Sequence, residues 1–189
     1  MHQPLHLSGK ARGGNDVYVH FDGYKTNLHK VWDGLGLMKR MKAVSKDRNQ
    51  HGLAREESLL VIDGQDGEGE YGISEEDSVH ELMSGYHWYI NGLMQGEYFG
   101  SLSRKWTMCP HSSVEPRFGC PEDWAKEIAR LNCEYTWLDV VENGTLGEEY
   151  WRRIEDDMIF EILVMKAATR LAAVLNSVAE YRDEHHLAL

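Results

Sequence analysis

Long apolar runs are missing from this sequence. No stretch of about 18 apolar residues occurs, and the most apolar region, near Met158 to Val178, is broken by Glu161, Lys166, Arg170 and Asn176. A membrane span is therefore not expected. Positive charge is also scarce. Against 31 Asp and Glu stand 20 Lys and Arg, a formal net charge of −11, which argues against broad electrostatic binding to duplex phosphates. Nucleic-acid contact would need local positive charge, and a bound divalent cation supplies it inside a small cleft. Cysteine is sparse: Cys109, Cys120 and Cys133 are spaced too widely for a CxxC zinc ribbon or redox motif. Cys109 and Cys120 are the candidate pair, enclosing Pro110 and Pro116 and leaving Cys133 odd; in a reducing compartment all three would be buried thiols. The opening MHQPLH has neither the basic nor the apolar region of a signal peptide.

What is present fits one mainly α domain over residues 1–189. Hydrophobic residues make up 42% and aromatics 10%, enough to close a core. Val17 to Phe21 is β-branched and aromatic, and Asp22-Gly23 supplies a turn before Tyr24-Lys25-Thr26, so one short hairpin is expected. Asn27 reads as the N-cap of a helix through His29, Trp32 and Asp33, interrupted near Gly34 and Gly36 and continued by Leu37, Met38 and Met41. Residues 63–77 combine glycine with acid and read as an acidic loop insertion. Helices are expected over Ser78 to Met94 and over Pro121 to Leu138, the latter opening on proline and two acids. From Trp151 to Val178, apolar residues at spacings near three and four predict a long core helix.

The chemistry concentrates near the N-terminus, in Pro4-Leu5-His6, Gly13-Gly14-Asn15 and Asn27-Leu28-His29-Lys30-Val31-Trp32-Asp33. On a helix, His29 and Asp33 stand at i and i+4, about 6 Å apart on one face. That pair is common without a metal. A third ligand, His6, would complete a His-His-Asp set with open positions for water or substrate, as a catalytic zinc requires.

The ordered words MHQPLH, GGN and NLHKVWD resemble the zinc-dependent single-strand nucleases of fungi and plants, the type I nucleases. Asp123-Trp124-Ala125, Cys133 and Arg170-Leu171-Ala172 extend the resemblance more weakly along most of the chain. The resemblance implies a helical fold related to zinc-dependent phospholipase C, with three zinc ions in a cleft. It implies His6, His29 and Asp33 as ligands of one zinc, and Asn15 as a contact to substrate near the scissile phosphate. It implies hydrolysis of single-stranded DNA and RNA to 5′-phosphorylated nucleotides by a monomeric secreted enzyme. It also implies ligands upstream of Met1, so that the chain is expected to be N-terminally truncated, to hold at most one zinc and to have little activity alone. Cys133 resembles a cysteine bridged, in the family, to that upstream region. The alternative is a non-enzymatic remnant that keeps one zinc site.

Other candidates are weaker. Asn143-Gly144-Thr145 fits the N-glycosylation triplet, which is also frequent by chance. Lys10 and Arg12 are basic residues beside the proposed site and candidates for a phosphate contact. Trp32 and Tyr24 are candidates for base stacking, although a Trp between two ligands more often packs in the core. His2, His20, His51, His80, His87 and His111 lack companions at metal spacing, and His185-His186 fall in a tail.

Overall fold

The computed structural model describes residues 2–50, 79–109 and 119–184. The acidic segment 63–77, together with Ser78, His51, His111 and His185-His186, lies outside the described residues.

The chain opens with a 3₁₀ turn, Pro4–Leu7, then a tight turn at Ala11–Gly14. The hairpin follows, strand β1 (Tyr18–Phe21) antiparallel to β2 (Tyr24–Asn27). Asp22 and Gly23 both have positive φ, 49° and 83°, the backbone of a type I′ turn whose twist suits a two-residue hairpin. The segment after Asn143 lies against the hairpin's other edge, where His20 N–H donates to Gly144 O and Leu146 N–H to His20 O.

Asn27 caps the first helix as its side chain predicts, Oδ1 accepting from the Lys30 N–H at 2.8 Å. Helix α1 (Leu28–Lys30) runs through a π turn, Val31–Leu35, into α2 (Gly36–Gln50) without stopping at either glycine. Gly36 has a packing reason instead of a breaking one: a Cβ there would lie 2.9 Å from the Phe160 ring. Helices α3 (Val79–Gln95), α4 (Glu97–Trp106) and α5 (Pro121–Leu131) follow, the last continuing as a π turn over Asn132–Thr136.

The long C-terminal helix expected from Trp151 is two helices, α6 (Glu148–Asp156) and α7 (Ile159–Glu184). The break falls at Asp157 and Met158, with Met158 at φ 52°. Tyr135 Oη donates to Asp157 Oδ2 at 2.7 Å and holds the corner. Only the first half of α7 is core, because Leu171, Leu175 and Val178 are exposed. Length and composition also make α7, among the described residues, one helix apolar enough to cross a membrane, with mean hydropathy 1.4.

The main core joins the hairpin (Val19, Phe21), one face of α1 and the π turn (Leu28, Val31, Trp32), α5 (Ile128), α6 (Tyr150, Trp151, Ile154) and α7 (Ile159, Phe160, Leu163). A second cluster packs Tyr86, Ile90 and Trp106 around Met165. Burial of these side chains against α6 and α7 fixes the α1 face and leaves its opposite face to carry chemistry.

Candidate metal centre

The opposite face presents His29 and Asp33, and the 3₁₀ turn brings His6 to them. His29 Nε2 lies 3.0 Å from Asp33 Oδ2, and His6 Nε2 lies 3.4 Å from Asp33 Oδ1. The two imidazoles stack with centroids 5.1 Å apart. One ligand atom from each of the three residues falls within 4.8 Å of the others, and among the described residues this is the group of His, Cys, Asp and Glu that gathers closely enough to hold a metal. Asp33 sits in the π turn. Single π turns of this kind are frequent at functional sites.

The donor chemistry favours a cation between these side chains. His29 Nδ1 lies 2.7 Å from the carbonyl oxygen of Gly13, which can only accept, so Nδ1 carries the ring's hydrogen. In the neutral ring Nε2 then offers a lone pair toward a carboxylate oxygen that is also an acceptor. Two acceptors at 3.0 Å call for a proton or a metal cation between them. Zinc bonds of about 2.0 Å to nitrogen and oxygen place neighbouring ligand atoms about 3.3 Å apart in a tetrahedron. Each imidazole faces its own oxygen of Asp33, at 3.0 and 3.4 Å, and one donor atom from each residue lies within 4.8 Å of the others, so the three side chains are near enough to close on one ion. The residues fit zinc.

The GGN turn is part of this architecture through its two glycines. Gly13 and Gly14 have φ of 65° and 83°. A Cβ on Gly13 would fall 2.7 Å from Leu5 O, and one on Gly14 would meet Leu5 Cδ1, His29 N and Leu28 Cβ at 3.3 to 3.4 Å. The close approach that demands glycine is to the chain itself, between the turn carrying His6 and the helix carrying His29. Asn15 follows directly, exposed, its amide donating to Arg12 O at 2.9 Å.

The basic candidates are engaged nearby. Arg12 Nε donates to both carboxylate oxygens of Asp16, and Lys10 Nζ sits 4.2 Å above the Trp137 ring. Trp32 is buried, which removes it as a stacking platform, while Tyr24 is exposed. His2 lies 3.2 Å from an Arg170 nitrogen and His20 3.2 Å from the Asn143 carbonyl. Asn143 is exposed at φ 56°. Cys109 and Cys120 form a disulfide, and Cys133 is a free, exposed thiol. Sequence reasoning missed Gln3, whose amide reaches Asp33. Spacing carries no signal for a contact between residues 30 apart.

The S1/P1 Nuclease family model matches residues 1–180. The chain belongs to the S1/P1 nuclease family. Endonuclease 1 of Arabidopsis thaliana is 25% identical over 189 residues, 100% of this chain and 48% of that protein. Nuclease S1 of Aspergillus oryzae is 26% identical over 183 residues, 95% of this chain and 50% of its own length. Nuclease P1 of Penicillium citrinum is 58% identical over 33 residues, 18% of this chain and 12% of its own. The chain thus spans about half the length of the relatives it matches from end to end. Membership in the S1/P1 family agrees with the mainly α architecture and its two-stranded sheet.

Proposed function

We propose that this chain contributes one zinc site, His6, His29 and Asp33, to a nuclease that hydrolyses single-stranded DNA and RNA to 5′-phosphorylated nucleotides. The observation that carries this reading is the convergence of two imidazoles and one carboxylate from separate segments, with His29 Nε2 aimed at Asp33. The relatives' names, Endonuclease 1 and Nuclease S1, support phosphodiester hydrolysis as the chemistry. His6, His29 and Asp33 would hold the ion, and zinc bound there would supply positive charge to a phosphate oxygen and the leaving group.

The protein's own groups do the rest of the work at this position. The Gly13 carbonyl keeps His29 in the tautomer that presents Nε2. Asn15 follows that turn with an exposed side chain, suited to a substrate phosphate or sugar. The disulfide and the exposed Asn143 triplet support passage through an oxidising secretory compartment with glycosylation at Asn143.

Among the described residues one such metal-binding group is present, which favours a second reading for the chain on its own: a one-zinc protein without nuclease turnover. Zinc stoichiometry by elemental analysis, paired with hydrolysis of single-stranded DNA at mildly acidic pH, tests both. One zinc per chain that is lost in Asp33→Asn is the expected result. Robust turnover with one zinc would overturn the second reading, and equal zinc content in the wild type and Asp33→Asn would overturn the first.

A further inference from the structure

Gln3 lies at the N-cap of the 3₁₀ turn, three residues before His6. Gln3 has the extended backbone of a cap, and its side chain and that of His6 reach the same carboxylate oxygen, Asp33 Oδ1. The two ends of the Gln3 amide have different partners. Oε1 accepts the backbone N–H of Leu5, and Nε2 donates to Asp33 Oδ1 at 2.8 Å. Chemistry fixes that orientation, since the Leu5 N–H can only donate and an ionised carboxylate can only accept.

Asp33 therefore has one oxygen shared by Gln3 and His6 and the other facing His29. Without Gln3, only the two imidazoles restrain the half-exposed carboxylate about its last torsion, which is broad and roughly two-fold. With it, Oδ1 is tied to the segment that carries His6. The amide thus links two ligands from segments 27 residues apart in sequence, His6 and Asp33, through one side chain that is not itself a ligand.

We propose that Gln3 is a positioning residue for the metal centre, setting the rotation of the Asp33 carboxylate and the distance between the His6 turn and the Asp33 helix. This inference rests on the zinc reading above. Partners that orient ligating carboxylates typically change metal affinity by about 10- to 100-fold when removed.

The test separates this role from simple capping of the turn. Serine is a good N-cap but too short to reach Asp33, so Gln3→Ser keeps the cap and removes the link; Gln3→Leu removes both. Zinc affinity is measured by competition with a chromophoric chelator. Cobalt(II), substituted for zinc, reports coordination geometry through its visible absorption, and the melting temperature of the metal-free protein reports the fold. The expected result is a Gln3→Ser protein with a metal-free melting temperature like the wild type, zinc affinity lower by about 10- to 100-fold and an altered cobalt spectrum. Wild-type affinity with an unchanged spectrum in Gln3→Ser overturns the role of Gln3 while leaving the zinc site standing. A Gln3→Ser protein whose affinity falls only in step with its melting temperature, with the cobalt spectrum preserved, reduces Gln3 to a cap and likewise overturns it. Failure of the wild type to bind either metal overturns the site and Gln3 together.

Discussion

The indole N–H of Trp32 donates to the hydroxyl of Tyr150 at 2.7 Å, inside the core and one residue from Asp33. Tyr150 in turn donates to the carbonyl of Thr136 at 3.1 Å, so one phenol links the segment that carries His29 and Asp33, α6 and the π turn after α5. Burial pushes the Tyr150 hydroxyl well above the ordinary tyrosine range and keeps it neutral and able to donate. Tyr150→Phe removes the acceptor of Trp32 and the donor to Thr136 while keeping the ring. It is expected to cost about 1–3 kcal/mol in urea denaturation, the penalty of buried polar groups left without partners. A loss below the experimental error would show that the link contributes nothing.

A second buried connection holds α2 on α7. Arg40 Nε donates to Glu161 Oε1 at 2.6 Å, and Glu161 is 1% exposed. Arg40→Met leaves that carboxylate buried without its counter-charge, and a loss of about 3–5 kcal/mol is expected. The double variant Arg40→Met/Glu161→Met replaces the pair with apolar side chains and is expected to recover most of that loss. Chemical denaturation of the three proteins measures the coupling, and equal losses in the single and double variants would contradict it.

These contacts also mark where the sequence was legible. The hairpin was readable because Asp22-Gly23 can adopt two positive φ values, and the α1 start because Asn27 is a strong cap. His29 and Asp33 were readable as one helical face. The break at Met158 was not, since a methionine at positive φ has no local signature and is held by tertiary contacts such as Tyr135 to Asp157. Gly36 carried a local signal that tertiary packing reversed: its missing Cβ admits Phe160 rather than ending the helix. The amide of Gln3 belongs to the same illegible class, because its partner is defined only after the first turn folds onto α1.

The Cys109–Cys120 disulfide joins residues 11 positions apart just before Pro121 opens α5. Chain-entropy arguments assign about 3 kcal/mol to a loop of this size. The variant Cys109→Ser/Cys120→Ser is expected to lose about that amount in denaturation, with zinc affinity unchanged because residues 6, 29 and 33 lie on other elements. A coupled loss of zinc binding would show that the α5 entry supports the metal site.

Acid is expected to weaken the fold between about pH 6.5 and 4. Burial lowers the His2 pKa from 6.5 to about 4, aided by the charge of Arg170. Below pH 6.5 the unfolded chain binds a proton that folded His2 refuses, so stability falls with pH until about 4. Glu127 acts in the same direction: burial alone would raise its pKa, but hydrogen bonds from Lys166 and Arg170 more than offset this and hold it below the usual carboxylate range. Its stabilising contribution, full above that range, is lost as pH drops through the lowered value. Urea midpoints with chelator present, from pH 7 to 4, measure the slope. His2→Gln, which can still accept from Arg170, is expected to flatten its upper part; an unchanged slope would assign the loss to other groups.

Zinc is expected to raise thermal stability through the folded state alone. His6, His29 and Asp33 come from two segments that meet only when the 3₁₀ turn packs on α1, so the unfolded chain lacks the assembled site. Binding to the native state at 100 times the dissociation constant contributes about 2.7 kcal/mol. For a chain of this length each kcal/mol moves the melting temperature by about 2–4 °C, so saturating zinc is expected to raise it by roughly 5 to 10 °C and chelator to reverse the rise. His29→Ala removes a ligand but leaves the buried face of α1, Leu28, Val31 and Trp32, in place. Its metal-free melting temperature is expected to fall by the loss of the hydrogen bond to the Gly13 carbonyl, about 1–3 kcal/mol, while the zinc-dependent rise disappears. A rise of equal size in His29→Ala would mean that the ion binds elsewhere on the chain, because a single site cannot keep its linkage energy after losing one of three ligands.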